Sequence, residues 1–270
     1  MSTSDNPNAI RSRIWFEEPE PDNPFATRVA FCRGYDVFGQ MLGNARWVEM
    51  FCLLFRDELP PASSLDMLEA LAIALANPGP RDQSVHAAMC AGVGGSSAAA
   101  TLIAALSVGA GRCRGAREVY DAMIAWRNCG TDIAAWLTLF GQASDEAEAD
   151  IWPRREHPAG FDPHGVSTAA TVRQLLAALA GIGATERVVW LERQYPELEK
   201  ITGLALDIGA VAAAAFADMG FTADEGEMLY LLLRLPGAAA HALEQKAYGY
   251  KQFPFYPVEL EDDPCCKAAS

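Results

Sequence analysis

The sequence predicts an almost entirely α-helical protein. Three observations carry that expectation. Apolar residues recur at helical spacing through most of the 270 residues. Clusters of proline and glycine end these stripes. Runs with the period of two that marks a strand are few and short, and no internal repeat is found.

The elements follow in order. Residues 1–26 are polar and carry Pro7, Pro19, Pro21 and Pro24, which predicts a surface arm. A short extended piece is expected over 27–31, ending in Arg33-Gly34-Tyr35-Asp36. Trp47, Val48, Phe51, Leu54 and Phe55 fall on one helical face, and the stripe stops before Pro60-Pro61. Leu65, Leu68, Leu71 and Leu75 make the next, ended by Asn77-Pro78-Gly79-Pro80. Gly92, Gly94 and Gly95 break the following stretch, after which an alanine-rich helix runs over about 97–108 with a surface small enough for close packing. A glycine-punctuated loop, 109–115, carries Arg112, Cys113 and Arg114. Val119, Ala122, Met123 and Trp126 form a face, then Ile133, Trp136, Leu137 and Phe140, with Thr131 as the expected N-cap. An acidic run, 145–150, leads into Trp152-Pro153-Arg154-Arg155-Glu156-His157-Pro158. Val172, Leu175, Leu176, Leu179 and Ile182 make an amphipathic stripe; Ile208, Val211, Ala212, Ala215, Phe216 and Met219 make another directly after Asp207. Thr222 with Glu225 has the spacing of a capping box and opens the helix that carries Arg234 and His241.

Composition narrows the function. The chain is 51% hydrophobic and 21% charged, which is globular and excludes collagen-like, coiled-coil and disordered classes. Lys and Arg total 21 against 35 Asp and Glu, a net charge of −14, and no basic stripe is visible. Such a surface repels phosphodiester backbones, so nucleic acid is not an expected partner. No apolar run is long enough to span a membrane, and Met1 to Asn8 has neither the basic nor the apolar part of a signal peptide. Seven cysteines without Cys-x-x-Cys spacing, with Cys265 and Cys266 adjacent, point to reduced thiols in the cytoplasm and to no metal site.

Phosphate-loop, zinc-protease and nucleophile-elbow motifs are absent. Four histidines remain as candidates for proton chemistry: His86, His157, His164 and His241. Arg234 lies within a leucine-rich helix, where an unpaired charge is costly, so it is expected to pair with a carboxylate of protein or ligand. Asp207 suits two roles, an N-cap of the stripe that follows or a base. Cys113 reads as a small buried residue, and His241 with Glu244 as a structural pair on one helix face.

The order of these pieces resembles the citrate synthase superfamily, most closely its short members related to citryl-CoA lyase. Arg33-Gly34-Tyr35-Asp36 begins the similar stretch, which runs through Ala45 to Leu59-Pro60 and resumes over 76–116. His157-Pro158 followed by Asp162-Pro163 is similar to the family's "GHP…DPR" segment, and Ala205-Leu206-Asp207 to its "NVD" segment. Arg234-Leu235-Pro236-Gly237 with Ala240-His241 and Glu244 is similar to "AR-x-PG-x-x-AH-x-x-E", the most specific of the matches.

The resemblance implies an all-α, citrate synthase-like fold: a large helical domain, 27–115 and 218–270, with a smaller helical domain, 116–217, inserted. It implies an enzyme that forms or cleaves a C–C bond between an acyl-CoA and a keto acid. Coenzyme A is then a substrate thioester, with no tightly bound cofactor. By position, Asp207 matches the base that takes the α-proton, His157 the histidine that polarises the acceptor's keto group, and Arg234 a carboxylate-binding arginine. The histidine of the family's "HGGA" loop has no counterpart, because Gly111-Arg112-Cys113-Arg114-Gly115-Ala116 stands there. A thiol is a weak donor, so enolate stabilisation needs Arg112 or Arg114 beside Cys113, or is lost. The "DHG" turn reads Asn77-Pro78-Gly79, the "DPR" arginine reads His164, Glu156 stands where the family has glycine, and no arginine follows Arg234. These departures support a second reading, a CoA- or carboxylate-binding relative with a regulatory role. The resemblance also implies a homodimer, paired through helices such as 98–105 and the aromatic tail 253–257.

Overall fold

Strand β1 (Trp15–Pro19) lies within the stretch expected as a surface arm. It pairs antiparallel with β2 (Thr27–Cys32), Trp15 opposite Cys32, and β2 pairs with β3 (Tyr35–Asp36). The run Trp-Phe-Glu-Glu does not alternate apolar with polar residues, and cross-strand polar pairs support the strand. Thr27 donates to Glu17 across 2.9 Å, and Arg28 pairs with Glu18. This computed structural model describes residues 10–141, 157–183, 185–254 and 256–258. The acidic run 145–150, Glu156, Phe255 and the Cys265-Cys266 pair lie outside them.

After a single π-turn (Val37–Met41) the described chain is dominated by helices: α1 (Trp47–Phe55), α2 (Ala62–Leu75), α3 (Gln83–Val93), α4 (Ala98–Gly109), α5 (Ala116–Cys129) and α6 (Ile133–Gly141). Strand β4 (Phe161–Asp162), α7 (Ala170–Ile182), α8 (Glu186–Thr202), β5 (Ala205–Leu206), α9 (Ile208–Asp218) and α10 (Ala223–Tyr248) follow. The chain divides into two units, Met1–Ala76 with Ala110–Leu233 and Asn77–Gly109 with Arg234–Ser270. The grouping follows packing, with α2 lying against α7, and cuts the chain elsewhere than the expected boundaries 26/27, 115/116 and 217/218.

The first unit is built around α9. The sequence predicts one apolar stripe there, but Gly209 to Phe216 are buried without exception. Alanine and glycine give the helix so thin a surface that α5, α7 and α8 all close on it. Phe216, Leu176, Leu179 and Leu191 fill the space around it, and Trp126 meets Trp136 and Trp190 edge to face while Trp136 stacks on Trp190, with ring centroids 4.9 to 6.2 Å apart. Cys52, on α1, is shut into this core, and burial pushes its thiol from 9.0 up to about 11. Burial raises Cys32 and Cys129 in the same direction.

The expected capping box is present: Thr222 N–H donates to Glu225, and Glu225 N–H to the Thr222 hydroxyl. At α6 the expected cap shifts by one residue. Asp132 accepts from Ala134 N–H, while Thr131 donates to Glu186. A carboxylate one residue nearer the helix is in better position to take the free N–H.

The second unit packs α3 against α4 and the last part of α10. Its core is Val85, Ala88, Ala105, Ala238 and Ala242. Thr101, Ala105 and Gly109, four residues apart, make the buried face of α4. Gly92 of α3 approaches α10 so closely that a Cβ there would sit 2.6 Å from the Ala242 carbonyl oxygen. Among the described residues, no helix is long and apolar enough to cross a membrane.

Candidate active site

In the first unit the segment from His157 to Gly160 is seated on the start of α9. Gly160 has φ +88°, and a Cβ there would lie 2.7 Å from that of Ala210. Only glycine meets both demands. The Gly160 carbonyl accepts from Asp207 N–H at 2.9 Å, and β4 then pairs with β5, Phe161 opposite Leu206. Two segments that sequence resemblance singled out, His157-Pro158 and Leu206-Asp207, are thereby brought together.

Asp207 is the N-cap of α9. Its carboxylate accepts from Gly209 N–H at 3.3 Å, and the side chain is half-buried. The bond is long enough, and single, so the carboxylate keeps lone pairs for another partner. Both sequence readings of Asp207 remain compatible, because capping uses one oxygen.

His157 is buried at 8% exposure, although its proline-bounded loop allows a solvated ring. Its Nε2 lies 2.9 Å from Glu118 Oε1, and Glu118, in the first turn of α5, is 3% exposed. A helix N-terminus favours a carboxylate, which explains how this one is tolerated inside. Glu156, the carboxylate next to His157 in sequence, lies outside the described residues; the one that meets the ring is Glu118.

The loop before α5 carries the other candidates. Cys113 is exposed, against the expectation of a small buried residue, in a loop where Arg112 and Arg114 on either side are exposed as well. Arg114 has φ +60°, in the left-handed region that favours glycine. Its guanidinium comes within 3.9 Å of Asp162, so the loop lies beside β4. His164 is exposed and its N–H donates to Asp162 at 2.9 Å. Asp207, His157, Arg114 and His164 are thus gathered in one region of the first unit, with Glu118 added.

Arg234 belongs to the second unit and is 6% exposed. The carboxylate expected to pair with it is supplied by the protein: Arg234 binds Asp82, which also caps α3 by accepting from Ser84 and Val85 N–H. His241 bridges Glu244, at 3.2 Å, and Asn77, at 3.1 Å, as a structural pair would. Among the described residues no group of three or more His, Cys, Asp or Glu is placed to hold a metal ion.

No family model matches the sequence, and no curated protein matches it. Solved structures do. Citryl-CoA lyase from Hydrogenobacter thermophilus superposes with a TM-score of 0.69 over 96% of this chain and 99% of its own, at 18% identity. The chain has the citrate synthase-like, all-α fold. ATP citrate lyase from Methanothrix soehngenii, in complex with citrate and coenzyme A, gives 0.67 at 19% identity, over 96% of this chain and 43% of its own. Citrate synthase from Thermotoga maritima gives 0.56 at 18% identity, over 82% and 60%. This citrate synthase-like chain therefore spans less than half of that ATP citrate lyase and nearly the whole of the Hydrogenobacter lyase.

Glu118 and Asp82 escape the sequence reading. Each has a faint signal, an acidic residue in a first turn after Gly115 and an Asp-x-Ser N-cap pattern before Gln83. Neither pattern tells which basic side chain it meets.

Proposed function

We propose that this protein forms or cleaves a C–C bond between an acyl-CoA and a keto acid, in the manner of citryl-CoA lyase. The observation that carries the reading is the seating of His157–Gly160 against Asp207 within a fold matched end to end by a citryl-CoA lyase. In the synthetic direction the Asp207 carboxylate takes the α-proton of the thioester. The enolate carbon attacks the keto carbon, and the keto oxygen, held by a hydrogen bond from His157, becomes an alkoxide and takes its proton from His157. In the lytic direction the hydroxyl gives its proton to His157, the C–C bond breaks, and the thioester enolate is reprotonated by Asp207 in its carboxylic acid form. Arg112, Arg114, Cys113 and His164 line the thioester and acceptor. The five described cysteines are free thiols, which supports a cytoplasmic setting. Exposed Ile103 and Val108 on α4 support pairing with a second copy.

The test is deuterium wash-in on acetyl-CoA in D₂O with keto acids present. Wild type should exchange the α-protons, and Asp207→Asn should abolish exchange with binding kept, since an amide still caps α9 but accepts no proton. Cys113→His should raise the rate by restoring an enolate donor. No exchange in wild type or in Cys113→His, with thioester bound, overturns the enzyme reading.

A second reading is a CoA- or carboxylate-binding relative with a regulatory role. It is favoured by the exposed thiol at Cys113 and by the internal partner of Arg234. Binding without exchange is its signature.

A further inference from the structure

The buried pair Glu118–His157 asks for an account of its own. Two polar side chains enclosed at 3% and 8% exposure are costly unless each meets the other's demand. The Glu118 carboxylate sits in the first turn of α5, where the helix N-terminus favours an anion. A carboxylate only accepts, so the proton between the two lies on His157 Nε2. That commitment leaves Nδ1, which makes no hydrogen bond with any described residue. The ring has little freedom to turn otherwise, because its loop is locked by Gly160 on α9. One face of the imidazole is thus anchored and the other nitrogen is offered.

We propose that Glu118 is a positioning residue: it fixes the ring and tautomer of His157 so that Nδ1, and not Nε2, meets an oxygen of the ligand. For that oxygen to be a carbonyl, Nδ1 must donate, and the ring then carries both protons. Glu118 is the buried counter-charge that makes this form tenable at 2.9 Å. The logic is that of a carboxylate that orients a histidine through one nitrogen and leaves the other for chemistry. The identity of the oxygen as a keto group rests on the proposed function; the tautomer and the positioning role do not.

The experiment is long-range ¹H–¹⁵N correlation of the histidine rings in the full-length ¹⁵N-labelled protein at neutral pH, with His157 assigned by loss of its signals in His157→Gln. Wild type should show a protonated Nε2. Glu118→Gln should move the His157 ring nitrogens and leave those of His86, His164 and His241 in place, and Glu118→Asp should move them less. An unprotonated Nε2 in wild type, or a His157 signal unchanged in Glu118→Gln, overturns the proposal. Should Glu118→Gln not fold, the wild-type tautomer and Glu118→Asp decide. Where α-proton exchange is measurable, Glu118→Gln should lower its rate by about tenfold or more, within the usual contribution of acid–base groups, with half-saturation little changed. Absence of exchange in wild type refutes the function and leaves the ring measurements to judge Glu118.

Discussion

Around α9 the first unit packs Phe216, Leu176, Leu179 and a cluster of three tryptophans, whereas the second closes over Val85 and four alanines. The first draws its stability from bulk removed from water, at about 1.5–3 kcal/mol for each large side chain. The second draws it from close approach, with backbone meeting backbone at Gly92. Deletion should therefore hurt the first most, and addition the second.

The largest effect is expected from Phe216→Ala, which empties a fully buried site and should cost about 3–5 kcal/mol. Urea unfolding followed by tryptophan fluorescence reads the first unit alone, because no tryptophan occurs in 77–109 or 234–270. A loss under about 1 kcal/mol would break the comparison.

Alkaline titration comes next. The Cys52 thiol is raised from 9.0 to about 11 in the folded chain. Below pH 9 its contribution is complete. Above pH 9 the unfolded chain sheds the proton that the folded chain keeps, so stability falls as pH rises to about 11. Two pKa units correspond to about 3 kcal/mol. Cys52→Ala should flatten most of that slope; Cys32 and Cys129, raised in the same direction, contribute to it with the same sign. An unchanged slope would detach burial from the effect.

Gly92→Ala probes the second unit. The new methyl would press on the Ala242 carbonyl and cost about 1–3 kcal/mol, offset by about 1 kcal/mol of helix propensity. Far-UV circular dichroism should show a net loss of up to about 2 kcal/mol; a gain would mean that the unit has room to spare. The smallest effect is a stabilisation. Arg114→Gly removes a left-handed strain and should add about 1 kcal/mol, visible as a rise in melting temperature.

What the sequence makes legible is local. The α10 capping box and the helix breaks at Gly94 and Gly95 depend on neighbours within a few positions, whereas Gly92, expected to break the helix with them, lies inside α3. Helix α8 is the clear omission: Pro196 lies inside it and its charged residues blur the stripe. The full enclosure of α9 is equally silent, since alanine at position 213 looks alike on a surface or in a core. The candidate site divides in the same way. Asp207 and His157 stand out through motif order, while Glu118 is 39 residues from His157 and Asp82 is 152 from Arg234. Partners across such distances are chosen by packing, which no spacing rule records.

The separation of contacts along the chain also sets an order of assembly. Helices α3 and α4 touch within one continuous stretch, so their hairpin closes a short loop and forms early. Helix α9 must wait for α5, which precedes it by some ninety positions, and its eight enclosed residues are worth little until that partner arrives. The platform beneath His157 and Asp207 is thus among the last parts to set. A chain arrested late in folding would hold a finished α3–α4 hairpin and no place for either residue.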